Sequence, residues 1–236
     1  NFLDGFSVDP LDGGYAPSFF DLDNDGDLDL VLGGASNGRL HGYRNDGADG
    51  FTALPDPTID PSSPFYNVSV SRYNSRQSFG DLDGDGDLDI LVGGRNQGWD
   101  EFENDGAGGF AYFPQEDSPF NQGPDDGESA PTFIDLDNDG DLDLVVGRYD
   151  GRLDSFIYDS TTGVFLRLET YYDVDPYNGI VNLFYGMDFG SYSVPNSVDL
   201  DGDGDLDLVV GASSGLLYTI QNDGAGGFAR VTGAAN

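Results

Sequence analysis

Four acidic segments carry twenty aspartates at a spacing that suits a metal ion. Each segment is nine residues long, reads D-L-D-[NG]-D-G-D-L-D and has an aspartate at every odd position. Carboxylates packed this closely repel one another unless a cation lies among them, and oxygen ligands suit a hard ion, calcium first. The sequence therefore predicts about four Ca²⁺ sites. Their candidate ligands are Asp21, Asp23, Asp25, Asp27, Asp29, Asp81, Asp83, Asp85, Asp87, Asp89, Asp135, Asp137, Asp139, Asp141, Asp143, Asp199, Asp201, Asp203, Asp205 and Asp207.

The alternation within one segment assigns a part to each residue. In the first segment, Asp21, Asp23 and Asp25 are expected to offer side-chain oxygens. Asp27 is expected to offer its backbone carbonyl, and Asp29 a closing carboxylate. The glycine at the sixth position is expected to make the turn, because a residue without a Cβ takes the left-handed conformation readily.

Apolar runs on both sides place each acidic segment between two strands. Ser18-Phe19-Phe20 precedes the first segment, and Leu30-Val31-Leu32-Gly33-Gly34 follows it. An EF-hand loop starts in a similar way, but it closes with a glutamate at about position twelve and is flanked by helices. The whole pattern resembles the calcium-binding FG-GAP and VCBS repeats of integrin α-subunit propellers and of many secreted bacterial proteins. The resemblance implies propeller blades with calcium in the loops that join their strands.

The four segments begin 60, 54 and 64 residues apart, which indicates an array of like units. In the first unit, strands are expected at Tyr15–Phe20, Leu28–Gly33, Arg39–Asn45 and Phe51–Leu54. The prediction is an all-β, four-bladed propeller, each blade having four antiparallel strands and a Ca²⁺ loop between its first and second strands. A piece of a larger propeller and an open β-solenoid are the alternatives. The chain is predicted to be one domain, 1–236, with repeats at approximately 15–54, 75–113, 129–168 and 194–231.

Two further features concern ring closure and turns. Residues 1–14 resemble the tail of a repeat, because Gly5-Phe6 matches the residues that open later fourth strands, and they are expected to close the ring. Asn45-Asp46-Gly47 recurs as Asn104-Asp105-Gly106 and Asn222-Asp223-Gly224. This triplet predicts a hairpin turn rather than another ion site.

The links between units are long and gather arginine and aromatic residues. Links 55–77, 114–130 and 169–195 are expected on the face opposite the acidic loops, together with the loops after each second strand. Such residues are typical of binding surfaces, although the tyrosines could instead pack the links onto the blades. The candidate ligand-binding residues are Arg72, Tyr73, Arg76, Arg95, Trp99, Arg148, Tyr149 and Arg152. Tyr171, Tyr172, Tyr177, Tyr185 and Tyr192 fall on the same predicted face.

Composition limits the partners and the location. The formal net charge is −35, with 44 acidic and nine basic residues, so nucleic acid and anionic membranes are poor partners. No apolar run approaches the roughly 18 residues of a membrane span. Without cysteine the fold is expected to depend on calcium, which is abundant outside cells. The first residue is Asn1 rather than Met, which agrees with removal of a signal peptide or excision from a longer chain. A secreted or cell-surface protein is predicted, with a glycosylation sequon at Asn67.

Catalysis has little support in the sequence. His41 is the sole histidine and there is no cysteine, so a nucleophile with a placed base is not expected. The favoured function is an extracellular, calcium-stabilised, non-catalytic binding or adhesion module for a glycan or a protein. A self-assembling structural protein of a surface layer or filament is one alternative. An accessory module of a secreted polysaccharide-acting enzyme is the other.

Overall fold

The computed structural model of the chain is all-β. It describes residues 15–23, 25–34, 39–47, 50–57, 60–66, 68, 70, 73–95, 98–107, 109–113, 118–120, 128–168 and 183–231. The segment 1–14, predicted to close the ring, and the sequon residue Asn67 lie outside these ranges. In the described part of the chain, no helix has the length and apolar character needed to span a membrane.

Sixteen strands form four sheets of four, and each sheet uses four consecutive strands. Blade 1 contains β1 (Tyr15–Phe20), β2 (Asp29–Gly34), β3 (Leu40–Asn45) and β4 (Phe51–Ala53). Blade 2 contains β5 (Tyr73–Gly80), β6 (Asp89–Arg95), β7 (Asp100–Asn104) and β8 (Phe110–Tyr112). Blade 3 contains β9 (Ser129–Ile134), β10 (Asp143–Arg148), β11 (Leu153–Asp159) and β12 (Val164–Leu168). Blade 4 contains β13 (Val194–Val198), β14 (Asp207–Gly211), β15 (Leu217–Asn222) and β16 (Phe228–Val231).

The pairing within each blade fixes the position of its acidic loop. All neighbouring strands are antiparallel, and the first strand ends where the second begins, as in the pairs Phe20 with Asp29 and Ile134 with Asp143. The acidic segment therefore joins the first two strands in every blade. The predicted fold of four blades, each of four antiparallel strands, is confirmed.

The second strand has an apolar core on each of its faces in blades 2 and 3. β2 and β10 read Leu-Val-Leu and Leu-Val-Val after their first aspartate, and these residues are buried. A continuous apolar run of this kind is typical of a strand covered on both sides, because successive side chains point to opposite faces. In blade 3, Leu144 and Val146 face blade 2, whereas Val145 faces blade 4.

Three apolar cores join the four blades. Val31 and Leu40 of blade 1 meet Ile90 and Val92 of blade 2. The second core joins blades 2 and 3, and the third joins blades 3 and 4. Among the described residues there is no fourth core between blade 4 and blade 1.

The first strands of the blades surround a central cavity of about 310 Å³, lined by residues of β1, β5, β9 and β13. Along this ring β1 packs beside β5, β5 beside β9, and β9 beside β13. No comparable packing joins β13 to β1 within the described ranges. At the end of β1, the side chain of Phe19 is about half exposed, whereas that of Phe20 is buried and stacks on Phe79 of blade 2.

Part of each long link is core rather than surface. Phe65, Val68 and Val70 of the first link belong to the core between blades 1 and 2. Phe184 and Phe189 of the third link belong to the core between blades 3 and 4. These two links therefore cover the junction between the two blades that each connects.

Candidate metal centres and ligand pocket

Each acidic loop is folded by hydrogen bonds from its own backbone to its first aspartate. In the third loop the N–H groups of Asn138 and Gly140 donate to the two carboxylate oxygens of Asp135, at 2.7 and 3.1 Å. Asp199 accepts from Gly202 and Gly204 in the same way, at 2.7 and 3.2 Å. The bend brings the alternate carboxylates towards one point.

Four groups of three carboxylates result, one in each loop. In every group, one oxygen from each residue lies within 4.8 Å of the others, so each group could hold a metal ion. An all-oxygen set of this kind suits Ca²⁺. The groups are Asp21 with Asp23 and Asp29, Asp81 with Asp83 and Asp85, Asp135 with Asp137 and Asp143, and Asp199 with Asp201 and Asp203.

The aspartate at the ninth position of each loop also accepts two backbone hydrogen bonds. Asp143 is buried, and its two oxygens accept the N–H groups of Leu136 at 2.7 Å and Tyr158 at 2.8 Å. Asp29, Asp89 and Asp207 make equivalent pairs of bonds. This aspartate ties the start of the loop to the third strand of the blade.

We call these ninth-position residues, Asp29, Asp89, Asp143 and Asp207, the clamping aspartates. Burial raises the pKa of three of them, Asp29, Asp89 and Asp143. Desolvation raises the pKa of Asp89 to about 7 and that of Asp143 to about 8, even though the two backbone N–H bonds act in the opposite direction. Burial also raises the pKa of Asp29. A cation beside these carboxylates would favour their ionised forms.

The aspartates at the seventh position, Asp27, Asp87, Asp141 and Asp205, are in none of the four side-chain groups. The sequence assigned them a backbone carbonyl. Asp25, Asp89, Asp139 and Asp207 are also outside the groups of their loops.

The Asn-Asp-Gly triplets form turns beside the acidic loops. Asn104 donates from Nδ2 to the carbonyl of Leu88 at 3.1 Å and accepts the N–H of Gly106 at 3.1 Å. Asn45 and Asn222 make the same two contacts in blades 1 and 4. The asparagine therefore fastens the turn to the acidic loop. A cavity of about 430 Å³ between the first acidic loop and the turn of blade 2 includes Asp23 and Asp29 in its wall, which gives that cation group access to solvent.

A second cavity, of about 230 Å³, lies on the face opposite the acidic loops, at the link between blades 3 and 4. Arg148, Arg152 and Asp154 supply its charged wall. The remaining lining residues are Leu153, Phe184, Tyr185 and Gly186. Exposed Tyr149 lies beside Arg148 on the same turn and packs edge-on against Tyr192, with ring centroids 4.7 Å apart.

An internal ion cluster orients this cavity. Nη1 of Arg148 donates to both oxygens of Asp154, at 3.1 and 3.2 Å, and Nη2 of Arg167 donates to Oδ2 of Asp154 at 2.9 Å. Nε of Arg148 also lies 3.3 Å from Asp150. Arg152 lies 3.8 Å from Asp150, so the cluster contains three arginines and two aspartates. It is a locally cationic site on a protein of net charge −35.

Backbone hydrogen bonds hold the link against the turn that bears these residues. Phe189 donates to Gly151 at 3.0 Å, Tyr192 to Tyr149 at 3.0 Å and Ser193 to Arg148 at 3.1 Å. Tyr192 has a φ of 60°, a conformation that costs energy for a bulky residue and is found where surrounding structure enforces it. The cavity is therefore built on fixed backbone.

Trp99, Arg76 and Arg95, which were also predicted to bind a ligand, do not line this cavity. Trp99 is buried between blades 2 and 3 against Phe120 and Phe156. Burial lowers the pKa of Arg76, and Glu128 opposes that shift; Arg95 pairs with the same glutamate at 2.7 Å. Arg72, Tyr171, Tyr172 and Tyr177, and the side chain of Tyr73, lie outside the described residues. Asp154 was not predicted as a site residue; its signal in the sequence is an acid directly after Leu153, near the start of β11.

Comparison with known proteins identifies the repeat. Residues 81–146 match the sequence profile of the FG-GAP-like repeat family. The match and the four-bladed fold confirm the predicted FG-GAP/VCBS-type propeller repeats. No curated protein gives a significant match.

One solved structure concerns specific recognition of non-reducing terminal N-acetylglucosamine by an Agrocybe aegerita lectin. It aligns with a TM-score of 0.48 and 21% sequence identity. The alignment covers 91% of this chain and 50% of that one, so the chain spans half the length of that structure.

Proposed function

We propose that the protein is an extracellular, calcium-stabilised, non-catalytic module that binds a glycan at the cavity of Arg148, Arg152 and Tyr185. The observation that carries the proposal is this cavity, where fixed charged groups and exposed tyrosines meet on the face opposite the acidic loops. A protein ligand that inserts one side chain is the alternative occupant.

The chemistry of the cavity suits sugar hydroxyls. A hydroxyl both donates and accepts hydrogen bonds, and the pair of Arg148 and Asp154 offers donors and acceptors side by side. Tyr149 and Tyr185 are exposed rings against which the apolar face of a sugar could pack. The cavity is smaller than the roughly 300–1,000 Å³ of drug-sized sites, so it suits one sugar unit.

Calcium has a structural part in this proposal. The four carboxylate groups lie on the face away from the cavity, and backbone N–H groups of their own loops donate to their first aspartates, as at Asp135 and Asp199. Ions there would neutralise the loops and hold the first two strands of each blade. A secreted location follows from the need for calcium at roughly 10⁻⁴ to 10⁻³ M, the range of extracellular modules.

A glycan array followed by calorimetric titration of the best sugar tests the proposal. Arg152→Ala and Tyr185→Ala should each weaken binding at least about tenfold, because both residues border the cavity without belonging to a blade core. Melting temperatures should stay within a few degrees of the parent protein.

Matched controls are available on other parts of the surface. Tyr112 is 61% exposed, as is Tyr185, and it lies on β8 of blade 2. Arg44 is an exposed arginine near the acidic loop of blade 1 that pairs with Asp46. Tyr112→Ala and Arg44→Ala should leave the affinity unchanged. An array without any bound sugar, or an equal loss in the controls, would contradict the proposal.

A further inference from the structure

One face of blade 4 repeats the positions that join the other blades, and no core of described residues covers it. In blade 3, the cross-strand row Thr132, Val145, Ser155 and Leu168 faces blade 4. Val145 and Leu168 belong to the core between those blades, as does Leu153, which pairs with the end of β10. We call the face of a blade that points to the next blade in the chain its forward face.

Blade 4 carries the same set of residues on its forward face. The matching row is Asn196, Val209, Thr219 and Val231, and Leu217 pairs with Gly211 as Leu153 pairs with Gly147. Val198 and Leu200 occupy the places of Ile134 and Leu136, which are buried in blade 3. Leu217 is 74% exposed, Leu200 48%, Val231 47% and Val198 39%. A row of apolar side chains this exposed marks an interaction surface.

The glycines that end the second strands give independent evidence. A Cβ added to Gly33, Gly93 or Gly147 would come within 3.0 Å of residues in the first strand of the next blade or immediately before it: Ser75, Ser129 and Ser193 respectively. At Gly211 it would meet only Leu217 and Val194 of its own blade, at 3.7 and 3.9 Å. Blade 4 therefore has the close-packing glycine of an interface but no described blade against it.

Blade 1 of another copy is a poor occupant for this face. The face of blade 1 that points away from blade 2 would have to offer Leu30 and Leu32, and both are already buried. Of the described large apolar residues in that cross-strand row, Phe19 is the exposed one. Growth of a head-to-tail filament, which needs two different free faces, is therefore not favoured.

The forward face of blade 4 can instead pack on itself. Its cross-strand row contains no charged residue, whereas the protein has a net charge of −35, so this row itself adds no charge repulsion between two copies. Twisted four-stranded sheets pack face to face through interdigitating aliphatic side chains, as the three blade junctions of this chain already do. We propose that a second copy of this chain covers the face, as a two-fold dimer through Val209, Leu217 and Val231.

Single cysteines test the geometry directly, because the chain has none of its own. In the intact 236-residue chain with calcium present, Leu217→Cys should cross-link efficiently to a second Leu217→Cys chain with a short bis-maleimide. Leu28→Cys is the matched control, since Leu28 is an exposed leucine in the acidic loop of blade 1. It should cross-link at the background level.

Light scattering across a concentration series provides the second measurement. The parent protein should double in mass as concentration rises, and added salt should favour the dimer because it screens the repulsion between acidic bodies. Leu217→Asp should raise the dimer dissociation constant at least about tenfold. The melting temperature of the dilute monomer should not change, since this side chain is exposed there.

Two outcomes would overturn the proposal. One is a parent protein that stays monomeric at every concentration and salt level, which would assign the face to a further blade or to a different protein. The other is equal cross-linking of the Leu28→Cys and Leu217→Cys variants, which would mean random collision. Neither outcome bears on glycan binding at the cavity of blade 3.

Discussion

Gly140 is the residue at which one acidic loop can be tested alone. Its φ is +98°, and a Cβ added there would meet nothing within 4 Å, so an alanine would be strained without any clash. Gly140→Ala should cost on the order of 1 to 2 kcal/mol of folding free energy. Calorimetric titration with calcium should show one site lost or weakened and the other sites kept.

Gly211→Ala is the control for that substitution. Gly211 has no positive φ, and its added Cβ would make only ordinary contacts at 3.7 and 3.9 Å. Calcium binding should be unchanged. Loss of every site together in Gly140→Ala would mean that the blades do not bind ions independently.

The clamping aspartates predict how stability depends on pH in the absence of divalent ions. Burial raises the folded-state pKa of Asp89 to about 7 and of Asp143 to about 8, from an ordinary value of 3.8. The folded protein thus binds these protons more tightly than the unfolded chain, so their contribution is fully present below about pH 4 and is lost as pH rises through 7 to 8. In chelator, the melting temperature should rise as pH is lowered from 9 to 5.

Calcium should change this dependence, because the ion competes with protons for the same carboxylates. The increase in melting temperature on adding calcium should be larger at pH 8 than at pH 6. An increase that is equal at both values would argue against ion binding beside Asp89 and Asp143.

At the scale of one element, the hairpin turn depends on its asparagine. Asn104→Ala would leave the carbonyl of Leu88 and the N–H of Gly106 without their present partner. Chemical denaturation should show a loss of about 1 to 2 kcal/mol. Asn196→Ala, at an exposed position in β13, is the control and should be nearly neutral at concentrations where the protein is monomeric. A smaller loss at Asn104 than at Asn196 would show that the turn does not need this fastening.

The strands and loops could be predicted from sequence because their signals are local. The expected strands Tyr15–Phe20 and Phe51–Leu54 differ from the observed Tyr15–Phe20 and Phe51–Ala53 by one residue at most. The links could not be read as easily, because an aromatic residue such as Phe65 or Phe184 looks the same in sequence whether it covers a blade junction or binds a ligand. Trp99 was assigned to the ligand face for that reason, and it lies in a core.

The ion pairs of the candidate site's arginines also could not be predicted from the sequence. Arg148 was predicted to face a ligand, and it does border the cavity, but Asp154 and Asp150 hold its guanidinium. Strand pairing brings Asp154 beside Arg148 and Arg167, and a single sequence gives little indication of these ion pairs. Arg152 is more exposed, and it is therefore the better probe of binding.

For the whole molecule, calcium should supply a large part of the stability. If each of four sites has a dissociation constant near 10⁻⁴ M, about 1 mM calcium contributes about 1.4 kcal/mol per site, or roughly 5 to 6 in all. For a chain of this size, each kcal/mol shifts the melting temperature by about 2 to 4 °C. Chelator should lower it by well over about 10 °C, and magnesium at equal concentration should restore less than calcium does. An unchanged melt in metal-free protein would refute the calcium assignment.

The presence of three cores among four blades has a consequence for how the molecule opens. The cores formed by the described residues join each blade to its neighbours in the series, so folding cooperativity passes from blade to blade, as it does in linear repeat proteins. In the described part of the chain, blade 4 has a core on one face where blades 2 and 3 have one on each, and in a dilute monomer blade 4 should open first. Native-state hydrogen exchange should find the amides of β14 and β15 less protected than those of β6 and β10. Dimer formation through Leu217 would erase that difference.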